Sequence, residues 1–174
     1  MPTRILIADD DAVQRRLVEN MVQRFGYEPI VVESGDAALA LLTSPDAPSI
    51  EAMVLDLVMP GLDGMGVLDK LRELSIQIPV IVQTAHGGID NVVSAMRAGA
   101  QDFVVKPVGA ERLQVSLRNA LNASALKGEL QRIKHAREGK LTFKDIITRA
   151  DAMDGVLRAA KKAAASTIPV LIEG

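Results

Sequence analysis

The chain has no cysteine and no tryptophan, and three phenylalanines and one tyrosine are its only aromatic residues. Without thiols there are no disulfides, no thiolate metal sites and no cysteine nucleophile, a pattern that suits a reducing cytoplasm. So few rings leave little material for the stacking platforms that grip single-stranded nucleic acid. The core must be built from Val, Ile, Leu, Met and Ala. Long hydrophobic runs are missing as well: none would span a bilayer, and Met1-Pro2-Thr3-Arg4 does not open a secretory leader. A cytoplasmic chain with no membrane partner is expected.

What remains is an ordinary globular balance: 174 residues, 48% hydrophobic and 24% charged, enough for one full domain and a fragment of another. The charge is segregated. Residues 1–121 hold ten basic and sixteen acidic side chains, 122–140 hold five and two, and 141–174 hold five and four. An acidic first segment argues against direct nucleic-acid binding by this chain.

Short apolar runs alternate with helical patterns. Arg4 to Ala8 reads as a buried strand stopped by Asp9-Asp10-Asp11. Asp11 then has the look of a helix N-cap, with Gln14 in the capping-box position and Val13, Leu17, Met21 and Val22 as the apolar face. A second strand follows over Tyr27–Val32, and a second helix from Ser34 to Ser44-Pro45. The third strand ends at Asp56, and the Pro60-Gly61 and Asp63-Gly64 pairs turn the chain sharply into a helix to about Leu74. A fourth strand covers Pro79–Thr84, a fourth helix Ile89–Ala98, and a fifth strand Asp102–Val105 before Lys106-Pro107. A helical stretch begins near Ala110. This order predicts an α/β, flavodoxin-like, doubly wound five-stranded parallel sheet followed by a helical linker.

In such a sheet all strand ends of one polarity share an edge, so Asp9, Asp10, Asp56, Thr84 and Lys106 converge. Two carboxylates that close repel by about 4 kcal/mol at an effective dielectric near 20. The cluster therefore calls for a cation or a shared proton. Mg²⁺, a hard ion that takes oxygen ligands, fits acidic side chains plus a phosphoryl oxygen. The implied chemistry is phosphoryl transfer to a carboxylate. Asp56, central and followed by a turn, is the candidate nucleophile, with Lys106 and the backbone N–H groups of Leu57 and Val58 offsetting charge in transfer. Alone, each residue has a plainer role: Asp56 an Asx-turn former, Thr84 a β-branched strand residue, Lys106 a solvated lysine, and Asp9 and Asp10 helix caps. Asp63 reads as a turn residue, and His86 and His135 as solvated.

Four motifs in order, Ile-Leu-Ile-Ala-Asp-Asp-Asp, Leu-Asp-Leu-Val-Met-Pro-Gly-Leu-Asp-Gly, Gln-Thr-Ala-His-Gly and Ala-Gly-Ala-Gln-Asp-Phe-Val-Val-Lys-Pro, resemble the receiver domain of two-component response regulators over residues 1–121. The resemblance implies that Asp9 and Asp10 hold Mg²⁺ with Asp56, and that Asp56 accepts phosphate from a sensor histidine kinase. It also implies that Thr84 and Lys106 bind the phosphoryl group, that the Lys106–Pro107 peptide is cis, and that Phe103 is the switch aromatic. A permanently buried ring is the alternative for Phe103. Two positions depart from the commonest pattern: Gln83 is polar where an apolar residue is usual, and Val108 stands where an aromatic is frequent. Neither is expected to touch the phosphorylation machinery.

Beyond the receiver, Leu113, Leu117 and Leu121, then Leu126, Leu130 and Ile133, recur at helical spacing. They read as one long helix or two with Gly128 as the weak point, and a homodimer through the last receiver helix and the linker at 122–140 is expected. Residues 141–174 are too few to fold alone. Phe143, Ile146-Ile147 and the apolar run into Gly174 resemble the opening of the AAA+ domain of NtrC-type, sigma-54-dependent activators, cut off at the first glycine of its phosphate loop. On that reading the chain holds no ATPase and no DNA-binding element, and the intact protein activates transcription. Two rival functions are a Mg²⁺-dependent aspartyl-phosphate phosphatase or phosphotransferase, disfavoured because Val58 stands where a second Asp is needed, and a phosphorylation-independent dimerisation module.

Overall fold

Five short runs rich in Val, Ile and Leu supply the strands of the computed structural model, which describes residues 2–85, 89–137 and 152–164. Strands and helices alternate: β1 (Arg4–Ala8), α1 (Ala12–Arg24), β2 (Glu28–Val32), α2 (Gly35–Thr43), β3 (Ala52–Asp56), α3 (Gly64–Glu73), β4 (Val80–Thr84), α4 (Ile89–Ala98), β5 (Asp102–Val105) and α5 (Ala110–Arg137). A last helix, α6, covers Ala152–Ala164. All strands are parallel, in the order β2-β1-β3-β4-β5. This is the flavodoxin-like α/β sheet read from the alternation of strands and helices.

Both faces of the sheet are covered, which is why the central strands read as unbroken apolar runs rather than alternating ones. Leu6, Met53, Leu55, Val80 and Val82 pack with Ala38 of α2, Val67, Leu68 and Leu71 of α3 and Ala95 of α4. On the other face Ile5, Ile7, Val54, Ile81 and Val104 pack with Val18 and Val22 of α1 and Leu113, Leu117 and Ala120 of α5. The chain divides into two compact units, Met1–Leu126 and Lys127–Gly174.

Helix starts follow local chemistry. Asp11 caps α1 through Oδ1, which accepts the N–H groups of Val13 and Gln14 at 2.8 and 3.1 Å. The reciprocal half of the expected capping box is missing, because Asp11 N–H donates to Asp9 Oδ1 instead. The apolar face of α1 also differs from the expected one: Val13 is 76% exposed and Leu17 is exposed, and the packed stripe runs Val18, Met21, Val22. Both stripes recur at helical spacing, and contact with the sheet selects the second. Asp63, expected as a turn residue, is the N-cap of α3, accepting Gly66 N–H at 2.8 Å. Gly64 is required there, since a Cβ would collide with the carbonyl oxygen of Asp56.

α5 is one helix and passes through Gly128 without a break. Leu113 and Leu117 cover the sheet, whereas Leu126 and Leu130 are 60% and 51% exposed. No helix among the described residues is long and apolar enough to cross a membrane. His86 and the resembling segments at 141–151 and 165–174 lie outside the described residues, as does the side chain of His135.

Candidate functional site

The carboxyl ends of β1 and β3 are adjacent in the sheet, so the residues that end them are held together by backbone pairing rather than by loops. Asp9, Asp10 and Asp56 each bring one carboxylate oxygen to within 4.8 Å of the others. Lys106 follows β5, and its peptide to Pro107 is cis, as the sequence led us to expect. Its Nζ lies 2.6 Å from Asp56 Oδ2 and 2.9 Å from Asp9 Oδ2. Asp9 and Asp56 are buried, and Asp10 is exposed at the mouth.

One ammonium thus serves two buried carboxylates. Burial pushes the Asp9 carboxyl above its ordinary range, and the hydrogen bond and charge of Lys106 offset this only in part. Burial also works against the Lys106 charge, but hydrogen bonds to Asp56 and Asp9, with their charges, outweigh it and hold the ammonium above the usual lysine value. With Asp10 counted, three carboxylates face one ammonium. An all-oxygen donor set short of positive charge is what a hard divalent cation fits.

The backbone around Asp56 contributes one donor, not two. Val58 N–H donates to Asp56 Oδ1 at 3.2 Å. The N–H of Leu57, expected to help, is spent on the carbonyl of Gln83 at 3.1 Å, because Leu57 extends the strand ladder by one residue. Thr84 sits buried at the same edge, and its hydroxyl donates to the carbonyl of Ala85 at 3.1 Å. Phe103 is not brought to the cluster. It is half-buried and packs against the core on the α2–α4 face.

Two participants escaped the sequence reading. Arg15 Nη1 donates to the backbone carbonyl of Asp9 at 2.6 Å and to that of Asp10 at 3.3 Å, tying the first turn of α1 to the acidic pair. Its place four residues past the helix cap was the available signal. Gln83, expected to lie apart from the site, is the register partner of Asp56 on β4. Laterally paired residues point to the same face, so register starts the Gln83 and Asp56 side chains next to each other on one face of the sheet. It is 0% exposed, and neither its Nε2 nor its Oε1 has a hydrogen-bond partner among the described residues. Burying such an amide costs about 1–3 kcal/mol.

The response regulator receiver domain profile matches residues 5–118. The regulatory protein AtoC of Escherichia coli (strain K12) is 31% identical over 173 residues, which is 98% of this chain and 36% of that protein. Among solved structures, a response regulator receiver domain protein from Clostridium thermocellum aligns with a TM-score of 0.66 and 31% identity, over 71% of this chain and 98% of its own. NtrX from Brucella abortus, solved in complex with ATP, aligns with a TM-score of 0.70 and 31% identity, over 94% of this chain and 35% of its own. The chain therefore spans about a third of the length of AtoC and of NtrX.

Proposed function

The chain belongs to the response regulator receiver domain family, and on that premise we propose that it is a phosphorylation switch in which Asp56 accepts a phosphoryl group from the phosphohistidine of a sensor kinase. The single observation that carries this reading is the Lys106 ammonium shared between Asp56 Oδ2 and Asp9 Oδ2 at 2.6 and 2.9 Å. A carboxylate oxygen of Asp56 attacks phosphorus, the P–N bond of the donor breaks, and its electron pair leaves with the imidazole nitrogen. Mg²⁺ held by Asp9, Asp10 and Asp56 would supply positive charge against the phosphoryl oxygens.

The acyl phosphate carries about −1.5 to −2 charges where the free carboxylate of Asp56 carried one, and spreads them over the phosphoryl oxygens. Lys106 follows those oxygens, and Thr84 exchanges its bond to the Ala85 carbonyl for one to the phosphoryl group. On this reading, moving Thr84 frees space at the end of β4 and Phe103 responds to it; its pairing with Val82, two residues before Thr84, supports the link. Carrying such an equilibrium from mostly off to mostly on takes about 5.5 kcal/mol of differential binding. The exposed Leu126 and Leu130 of α5 offer the output, a contact between two copies of this chain. In the longer protein, an NtrC-type activator on this reading, that contact would control the ATPase that follows. The phosphatase alternative wants a carboxylate at position 58, where the exposed Val58 has none.

Intact mass after incubation with acetyl phosphate, with and without Mg²⁺, tests the proposal on this chain and on Asp56→Asn. One added phosphoryl group that needs both Mg²⁺ and Asp56 is the expected result. An adduct that persists in Asp56→Asn, or none in the parent chain, would sink it.

A further inference from the structure

Among the described residues, buried side-chain atoms without a hydrogen bond belong to three residues only: Asp9, Gln14 and Gln83. Two of them lie on one face of the sheet, and the third stands on the helix that covers that face. Ile7, Val54 and Ile81 lie on the sheet face covered by α1 and α5. Two residues further along each strand, Asp9, Asp56 and Gln83 share that face at the carboxyl edge. Gln14 stands one turn before Val18 on the packed stripe of α1, whose first turn follows directly on β1. The Oδ2 of Asp9 has at least the Lys106 ammonium at 2.9 Å. Among the described residues the Gln83 carboxamide has no hydrogen-bond partner at either end.

Its row neighbours are Asp56 on β3 and Val104 on β5. Of these two direct neighbours only Asp56 is polar. Asp56 is poorly held for a buried acid: Oδ2 relies on Lys106, and Oδ1 on a single N–H at 3.2 Å. Once a phosphoryl group arrives, its oxygens compete for that same lysine.

We propose that Gln83 is a positioning residue for the phosphoacceptor: its carboxamide donates to the Asp56 carboxyl as Lys106 turns to the transferred phosphoryl group. The inference rests on the phosphoacceptor reading of Asp56 given above. An uncharged donor suits the task, because it fixes the carboxyl without cancelling the negative charge that draws a cation. The second N–H of the carboxamide goes to Gln14 Oε1, an acceptor otherwise unpaired among the described residues, which orients the amide.

The test uses the whole chain and two apolar replacements of similar volume, Gln83→Leu and Gln83→Met. Three quantities are measured in Mg²⁺: the phosphorylation rate against acetyl phosphate concentration, the lifetime of the adduct, and the thermal midpoint. Both variants should melt no lower than the parent, since they bury no unpaired amide. Their maximal phosphorylation rate should nevertheless fall about fivefold to tenfold, the loss of one hydrogen bond from the transition state, with half-saturation unchanged. Gln14→Leu should show a smaller fall in the same direction. Should Gln83→Leu melt lower, Gln83→Met, whose unbranched chain traces the glutamine, decides by the same criteria. Variants that phosphorylate within about twofold of the parent reduce Gln83 to a tolerated buried amide and overturn the inference. A parent chain that takes up no phosphoryl group removes the reading of Asp56 itself, which is a separate outcome.

Discussion

β5 carries a charged cluster at each end, and the two are built in opposite ways. Just past its last residue, Lys106 is shared by the buried carboxylates of Asp9 and Asp56. At its first residue, Asp102 has the reverse arrangement, one carboxylate with several donors. Ser116 Oγ donates to it at 2.6 Å, Arg112 Nη2 at 2.7 Å and the N–H of Phe103 at 2.8 Å. Burial acts to raise Asp102, yet the bonds from Ser116, Phe103 and Arg112 together hold it below the ordinary carboxylate value. Burial raises Asp9 too, and there the donors fail to compensate. An acid that pins α5 to the sheet is saturated with donors. The acids we assign to chemistry are left short of them, and on the proposed reading a cation makes up that shortage.

The largest effect should come from deepening the shortage. Lys106→Met leaves two buried carboxylates without their counter-charge, and breaking a buried pair from one side costs about 3–5 kcal/mol. We expect that loss in denaturant unfolding under chelator, with much of it regained on adding Mg²⁺. Phosphorylation by acetyl phosphate should drop by about 10²-fold or more, as when one preorganised donor to a developing charge is lost. Equal stability of the variant and the parent in chelator would mean that the cluster is not limited by charge, and the contrast would fail.

Asp102→Asn should cost less, about 1–3 kcal/mol, because the amide keeps one acceptor oxygen but loses the charge that Arg112 faces and puts a donor where Oδ2 accepts from Ser116. The sign of its pH dependence follows from the depressed folded-state pKa. The carboxylate stabilises the fold above its unfolded value near 3.8, and that contribution fades as pH falls through the lower folded value. The stability gap between parent and variant should therefore be full near neutrality and close in strong acid. The initial phosphorylation rate should not move, which separates this cluster from the one at Lys106.

What the sequence disclosed about these two clusters is uneven for a physical reason. Asp9, Asp10, Asp56 and Lys106 could be gathered in advance because each follows an apolar run, and parallel topology puts all such ends on one edge. The sheet itself was legible from the alternation of strands and helices. Register and helix rotation were not. Gln83 beside Asp56 depends on a pairing that slips by one residue at no cost to the pattern of a fully apolar strand. The Asp102 cluster depends on which side of α5 faces β5, and Arg112 and Ser116 carry no motif that reports it. Gln14 reads as the partner in a capping box, and the face of α1 reads as Val13, Leu17, Met21 and Val22, because two apolar stripes at helical spacing lie next to each other and contact with the sheet selects Val18, Met21 and Val22. Pairings fixed by topology can be read along a chain, whereas pairings fixed by rotation about a helix axis have to be seen.

The smallest effect is expected from Arg112→Ala, and it tests the comparison most finely. Arg112 spans two acceptors, Asp102 Oδ1 at 2.7 Å and the Phe103 carbonyl at 3.0 Å, but its side chain is 49% exposed. Exposed pairs are worth about 0.2–1 kcal/mol and are screened by salt. The loss on removing it should sit in that range at low ionic strength and shrink toward zero in about 1 M salt, where the screening length falls to about 3 Å. Ser116 and the Phe103 N–H remain to hold Asp102, so the carboxylate stays saturated and its acid-side titration should shift only slightly. The Lys106→Met loss, by contrast, should survive high salt, because Asp9 and Asp56 are closed off from solvent. A salt-insensitive cost at Arg112 would show that Asp102 has no donor to spare. Its cluster would then be as finely balanced as the acidic one, and saturation would no longer distinguish the structural end of β5 from the chemical end.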